Sequence, residues 1–372
     1  MYKLMTAGPT QVSESVRKAL STHRGNPDID IEFLEYYKNL CLKFSKFFNT
    51  DNEFYILGGE GILGLESACA SLTEKGDRVL VIDNGVFGKG FKDFVELYGG
   101  EAVLYTVDDR NPVDIDKLNE YLKKDSNFKY ATVVHCDTPS GILNDVSAIS
   151  KLLSSYNIMS VVDSVSSSFG VPLSMGEIDI LCLGSQKALS APTGLTIIGV
   201  SDRAKKSMEN RKTKIASFYA NILAFKDYYE NRWFPYTMPI YDIYALGQAM
   251  DNVINDENVF ERHSKMANIT RETVKAMGLK LYTESGYSDT VTVFEVPECT
   301  TCDDIVSIMK DKHNILISGS FDYLLGKVLR IGHMGENANE KDVYETLLAL
   351  YETLLEVGFD ISKSKEEIFY FM

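Results

Sequence analysis

The sequence predicts an α/β protein in which an open, doubly wound sheet is followed by a smaller α+β lobe. Three observations predict it. Short β-branched apolar runs alternate with helical stretches from about residue 54 to 200. Several of these runs are apolar at consecutive rather than alternate positions, so helices are expected on both faces of the sheet. Beyond about residue 260 the pattern changes to helix, strand, helix, strand, strand, helix, which reads as a second unit.

The strand candidates, in order, are Phe54–Leu57, Arg78–Ile82, Glu101–Val107, Tyr130–Cys136, Met159–Asp163, Ile178–Gly184 and Leu195–Val200. Between about 201 and 260 the chain turns helical and aromatic, with Ser217-Phe-Tyr, Tyr228-Tyr and Arg232-Trp-Phe-Pro-Tyr-Thr-Met-Pro-Ile. The last third predicts a helix near 260–277, a strand Val291–Val296 and a helix Asp303–Lys312. Strands Ile315–Ile317 and Lys327–Ile331 and a helix Asn339–Val357 follow. At 372 residues the chain exceeds what one core usually serves, and a prior of one domain per ~150 residues gives about two. The expected division is an N-terminal arm over 1–20, a large domain over 21–255 and a small domain over 256–372. No repeat or flexible linker marks the boundary, which is a change of pattern only.

Hydrophobic content of 45% and charged content of 24% are ordinary globular values, which excludes disordered, collagen-like and coiled-coil chains. The formal net charge of -15 gives phosphate backbones no electrostatic support, so no nucleic-acid partner is expected. No apolar stretch approaches the ~20 residues of a membrane helix. The opening Met1-Tyr-Lys-Leu-Met-Thr-Ala-Gly-Pro breaks before an apolar signal core forms. A cytoplasmic protein is therefore expected, with its six scattered cysteines reduced. Cys299 and Cys302 have half-site spacing, but no second pair completes a zinc site.

Gly59-Glu-Gly61-Ile-Leu-Gly64 matches the G-x-G-x-x-G fingerprint, with Asp83 at the end of the next strand, so an NAD(P)-binding oxidoreductase is a genuine rival reading. Physically, though, the glycines say only that backbone can approach an anion at a helix start near Ile62, which suits any phosphate. The polar groups at the carboxyl ends of the strands decide. Asp163 closes Met159-Ser-Val-Val-Asp, Lys187 follows Ile180-Leu-Cys-Leu-Gly-Ser-Gln, and Asp137 and Thr138 follow Ala131-Thr-Val-Val-His-Cys. An acid, a lysine and a hydroxyl thus converge beside the glycine-rich turn.

With these stand Ala7-Gly-Pro-Thr, Asn84-Gly-Val-Phe-Gly88, Thr138-Pro-Ser-Gly141, Val162-Asp-Ser-Val165 and Ser185-Gln-Lys187. Arg211-Lys-Thr-Lys214 with Ser217-Phe-Tyr, Thr237-Met-Pro239 and Gly326-Lys-Val-Leu-Arg-Ile-Gly332 complete the series. In this order and spacing the sequence resembles the class V aminotransferases of fold type I over nearly its whole length. Within that family it is most similar to the alanine or serine:glyoxylate and the 2-aminoethylphosphonate:pyruvate enzymes. The resemblance implies a large domain with a seven-stranded, mostly parallel sheet, a smaller α+β C-terminal domain, and pyridoxal 5′-phosphate as cofactor.

It also implies a role for each matching residue. Lys187 would form the Schiff base and shuttle the substrate's α-proton, which needs a lysine of depressed pKa. Asp163 would keep the pyridine nitrogen protonated, in competition with a plain helix N-cap role. Phe87 would stack on the ring, Thr138 would donate to its phenolic oxygen, and Gln186 would lie near the same oxygen. For the phosphate, Gly59, Gly61 and Ile62 would offer backbone N–H groups while Ser185 and Thr237 donate hydroxyls. Thr237 would come from a neighbouring subunit, which implies a homodimer with shared active sites. Arg330 would grip the substrate carboxylate with its bidentate fork.

Two positions depart from the family. Glu60 stands where a hydroxyl is common, and a carboxylate beside a phosphate is repulsive unless it points away or meets a cation. Phe234 stands where a tyrosine reaches the phosphate in the glyoxylate enzymes. The expected reaction moves an amino group from alanine, serine or 2-aminoethylphosphonate to a small 2-oxo acid such as pyruvate or glyoxylate. A lyase of the same fold would use the same lysine and acid. A cysteine desulfurase would need a cysteine in Ile317-Ser-Gly-Ser-Phe-Asp-Tyr323, which has none. Arg24, in Ser21-Thr-His-Arg-Gly-Asn-Pro, is a further expected contact for a second anionic group.

Overall fold

A computed structural model describes residues 2–108 and 110–370. Its centre is a seven-stranded sheet built from β1 (Glu53–Gly58), β2 (Arg78–Asp83), β3 (Glu101–Thr106), β4 (Tyr130–Val134), β5 (Met159–Asp163), β6 (Ile180–Gly184) and β7 (Leu195–Val200). The spatial order is β1-β7-β6-β5-β4-β2-β3. Only β7 runs antiparallel to its neighbours, pairing with both β1 and β6. Every residue of β4 to β7 is buried, which is why these runs are apolar at consecutive positions.

Helices cover both faces as the pattern predicts. They are α1 (Glu14–Ser21), α2 (Ile31–Phe47), α3 (Gly61–Leu72), α4 (Val86–Leu97), α5 (Ile115–Leu122), α6 (Val146–Ser155), α7 (Asp202–Glu209) and α8 (Ile240–Asn255). Of these, α3 lies on β6 and β7, α4 on β2 and β3, and α6 on β5. Gly64 brings α3 against the sheet, since a Cβ there would stand 2.5 Å from Thr196 Oγ1. Register places Val134 beside Asp163 and Asp163 beside Cys182, so the carboxyl ends of β4, β5 and β6 share one edge.

The last third holds α9 (Val259–Ala276), β8 (Val291–Glu295), α10 (Cys302–His313), β9 (Ser318–Gly319), β10 (Val328–Gly332) and α11 (Glu340–Glu356). Its strands form a separate antiparallel sheet in the order β8-β10-β9. A second hydrophobic core, including Met266, Val274, Ile305, Met309 and Leu347, lies apart from the one around the large sheet. Met5 belongs to that second core. The predicted strand Ile315–Ile317 stops at Leu316 and pairs parallel with Lys3–Leu4, so the first residues are stitched to this lobe. From there Ala7 to Pro9 pass over the edge where β5 and β6 end.

The predicted strand Tyr130–Cys136 divides at His135. Its N–H donates to the Asp163 carbonyl at 2.7 Å, while Cys136 and Asp137 turn away to pair with Ile142 and Leu143. Cys299 is exposed and Cys302 is buried. No cluster of three or more His, Cys, Asp or Glu able to hold a metal occurs among the described residues. Among them, too, no helix is long and apolar enough to cross a membrane.

Candidate active site

Lys187 lies three residues beyond the last residue of β6, and its side chain runs beneath the N-terminal segment. Its Nζ donates to the Ala7 carbonyl oxygen at 2.5 Å. Gly8, at φ +92°, is the residue that admits this passage, because a Cβ there would lie 2.5 Å from Lys187 Cδ. Burial lowers the Lys187 pKa to about 8; Arg330 pushes the same way, while Cys136, Asp163 and Glu60 oppose. A useful fraction of the amine is therefore neutral near physiological pH.

Asp163 ends β5 and is 5% exposed. Burial raises its pKa to about 7, against the pull of a 2.9 Å hydrogen bond that Oδ1 accepts from the Val165 N–H. One oxygen caps a turn rather than a helix, and the side chain lines a cavity. The turn is fixed by hydroxyls. His135 Nδ1 lies 2.9 Å from Ser164 Oγ, which also meets Ser167 at 3.1 Å and accepts from Ser168 at 2.7 Å. Burial lowers the His135 pKa to about 4, so this imidazole is neutral.

The start of α4 is held by Asp137, whose Oδ1 accepts from the Phe87 N–H at 2.9 Å and whose Oδ2 accepts from Ser140 Oγ at 2.7 Å. That bond presents Phe87 to the cavity, with its ring edge-on to Phe321 at 5.8 Å between centroids. Burial raises the Asp137 pKa to about 6 despite these bonds.

Lys187, Asp163, Phe87, Thr138, Gln186 and the run Glu60 to Ile62 all line one cavity of about 230 Å³. Its volume suits one small ring rather than a drug-sized ligand, for which pockets span roughly 300–1,000 Å³. Gly8, Pro9, Cys136, Ser166 and Thr193 line it too. Of these, only Gly8 and Pro9 had a signal in the sequence, through the Ala7-Gly-Pro-Thr motif.

Five predicted residues stand outside the lining. The Gly59 N–H is taken by the Gly194 carbonyl at 2.7 Å. Ser185 Oγ donates to the Pro192 carbonyl at 2.7 Å and accepts from the Leu195 N–H at 3.3 Å. Thr237 is exposed, with its hydroxyl on Asp28 at 2.9 Å. Arg330 is partly buried on β10, donating from Nε to the Gly319 carbonyl at 2.7 Å, and forms no ion pair among the described residues. Burial lowers its pKa to about 10, while the nearby Asp137 charge opposes. Arg24 stacks its guanidinium 3.7 Å above the Tyr244 ring and is not part of the cavity lining.

A mostly parallel sheet whose strand ends gather a lysine, an acid, an aromatic ring and a hydroxyl around one cavity has the groups a pyridoxal ring would need. The profile of the family described as "Aminotransferase class-V" matches residues 5–327. An aminotransferase of Methanocaldococcus jannaschii is 35% identical over 98% of this chain and 96% of its own length. The pyridoxamine–pyruvate transaminase of Mesorhizobium japonicum is 33% identical over 93% of this chain and 90% of its own. The crystal structure of ureidoglycine–glyoxylate aminotransferase from Bacillus subtilis superposes with a TM-score of 0.94 at 27% identity, covering 100% of this chain and 96% of that one.

The chain belongs to the class V aminotransferases, and the oxidoreductase reading of Gly59, Gly61 and Gly64 falls. Those glycines serve close packing: Gly61 faces Val165 and Gly64 faces Thr196, each with no room for a Cβ. Class V aminotransferases use pyridoxal 5′-phosphate. The residues here fit the two ends of that molecule unequally. Its ring finds Asp163, Phe87, Thr138 and Lys187 around one cavity. Its phosphate would meet Glu60, which caps α3: Oε1 accepts from the Ile62 N–H at 3.1 Å and Oε2 from Gln186 Nε2 at 3.0 Å. The ring fits, and as the side chains stand the phosphate does not.

Proposed function

We propose that this chain moves an amino group from a small donor to a small 2-oxo acid, pyruvate or glyoxylate, by way of a pyridoxal ring bound beside Lys187. The observation that carries the reading is the pairing of Lys187, with a pKa lowered to about 8, and Asp163, with a pKa raised to about 7, around one small cavity. Such a ring, protonated at its nitrogen, would supply the sink for the electron pair left when a carbon-bound proton departs. Asp163 would hold that nitrogen proton. Lys187, neutral for part of the time, would take the proton from one carbon and return it to the other.

Arg330 receives the carboxylate of the 2-oxo acid. A partly buried guanidinium with no ion pair among the described residues is costly unless an anion arrives, and a carboxylate matches its fork. Glyoxylate as acceptor is supported by the Bacillus subtilis enzyme and pyruvate by the Mesorhizobium japonicum one. The latter also widens the donors beyond the expected alanine, serine and 2-aminoethylphosphonate to pyridoxamine itself.

We further read the working form as a pair of copies. Phe218, Tyr219 and Trp233 are 62%, 56% and 59% exposed, more apolar surface than a lone chain usually leaves in one segment. Thr237 lies in the same segment. The test of the reaction is a matrix of the four donors against pyruvate and glyoxylate, followed by alanine or glycine formation. At least one pairing is expected to turn over and to lose all turnover in Lys187→Ala; no product in any pairing would sink the reading.

A further inference from the structure

We propose that Glu60 takes the place of the phosphate, so that the amino donor is the phosphate-free vitamer: pyridoxamine enters as substrate and pyridoxal leaves as product. This deepens the amino-transfer reading above and rests on it.

The start of a helix draws an anion because its first N–H groups lack partners and its dipole is positive there. In this chain that anion is already built in. Glu60 is the N-cap of α3, and one of its oxygens takes the Ile62 N–H. Its other oxygen is fixed by Gln186, which itself lines the cavity. No Lys or Arg forms an ion pair with Glu60 among the described residues; the Lys187 amine feels its charge across the cavity but is held on the Ala7 carbonyl, so no cation sits against the cap to pair with a second negative group.

Three of the other expected phosphate donors are also engaged, which leaves the Gly61 N–H beside the carboxylate cap. Gly59 gives its N–H to Gly194, Ser185 gives its hydroxyl to Pro192, and Thr237 gives its own to Asp28. A phosphate dianion would have to displace a carboxylate from its cap and would find these groups engaged. The hydroxymethyl arm of the phosphate-free ring makes the opposite demand. It brings an O–H donor, and a carboxylate is the strongest acceptor available to it. Gln186, which lines the cavity and donates to Glu60, is only 6% exposed and has its Oε1 buried without a hydrogen-bond partner, so a second acceptor is present beside the carboxylate.

The chemistry balances without any outside oxidant. The aminomethyl carbon of pyridoxamine loses two electrons and becomes the pyridoxal aldehyde. The C2 carbon of the 2-oxo acid gains those electrons together with the nitrogen and becomes the amino-acid α-carbon. One water leaves when amine and ketone condense, and one is taken up when the aldehyde is set free. Lys187 carries the proton between the two carbons.

The experiment compares vitamers on the unaltered protein. Pyridoxal and pyridoxal 5′-phosphate are titrated separately, following absorbance of the bound aldehyde. Turnover with pyruvate is then measured for pyridoxamine and for pyridoxamine 5′-phosphate. The phosphate-free forms are expected to win by at least ~100-fold in both Kd and kcat/KM, from like-charge exclusion at hydrogen-bond range. In Glu60→Ser the preference should collapse or invert, with the gain seen in phosphate-form binding as well as in rate. If the unaltered chain binds the phosphate form more tightly, or keeps it through dialysis while transferring from alanine or serine, the proposal falls and amino transfer stands. If neither vitamer binds and no donor turns over, both fall together. The vitamer comparison needs no variant, so it decides the proposal even where Glu60→Ser fails to fold.

Discussion

Asp163 and Lys187 are drawn toward a common pH from opposite ends, one pushed up to about 7 and the other down to about 8, and burial is the largest cause for both. A raised carboxyl means that between its unfolded value near ~3.9 and about 7 the native chain keeps a proton that the unfolded chain has lost. Stability from this group is therefore present below ~4 and is lost as pH rises to 7. A lowered lysine acts in mirror image: its contribution is present above ~10.4 and is lost as pH falls to about 8. The ligand-free protein thus holds the charges of Asp163 and Lys187 at some cost between pH 7 and 8. Asp163→Asn keeps the acceptor for the Val165 N–H and removes the charge. It should raise ligand-free stability at pH 8 by about 2–4 kcal/mol, a margin that shrinks toward pH 5. It should also lower kcat by at least ~100-fold, since an amide cannot hold the ring nitrogen's proton. Thermal unfolding at both pH values checks the first half. An Asn variant no more stable than its parent at pH 8 would contradict it.

At the scale of elements, what was legible in the sequence followed from local rules. The consecutive apolar runs of β4 to β7 announce strands buried on both faces, and a polar residue just past such a run announces a site. Asp163 and Lys187 were therefore readable as partners. What escaped depends on contacts far apart in the chain. Glu60 is visible in the sequence as a departure from its family, but its direction is set by Gln186, 126 residues on. Gly8 reads as a turn residue, yet its role is to let Lys187 pass, and the Lys187 bond to Ala7 spans 180 residues. Gly59 and Ser185 have the right residue types for a phosphate site; only the fold shows that Gly194 and Pro192 have claimed their donors. The G-x-G-x-x-G spacing around α3 illustrates the same limit, since Val165 and Thr196 demand small residues there whatever ligand binds.

For the whole molecule, residues 3–10 tie the small lobe to the site. Lys3 and Leu4 pair with Ile315 and Leu316, Met5 joins the second core, and Ala7 accepts from the Lys187 amine. The exposed aromatics of the 218–233 stretch call for a partner surface, and sedimentation equilibrium should give about twice 41.7 kDa. A mass of one chain at micromolar concentration would remove the shared-site reading of Thr237. All the proposed chemistry depends on one buried amine reaching one aldehyde. The direct measurement is reduction with borohydride in the presence of one equivalent of pyridoxal, followed by digestion and mass spectrometry. One pyridoxyl group per chain on Lys187 is the predicted result; label on other lysines with Lys187 unmodified is the result that would contradict it.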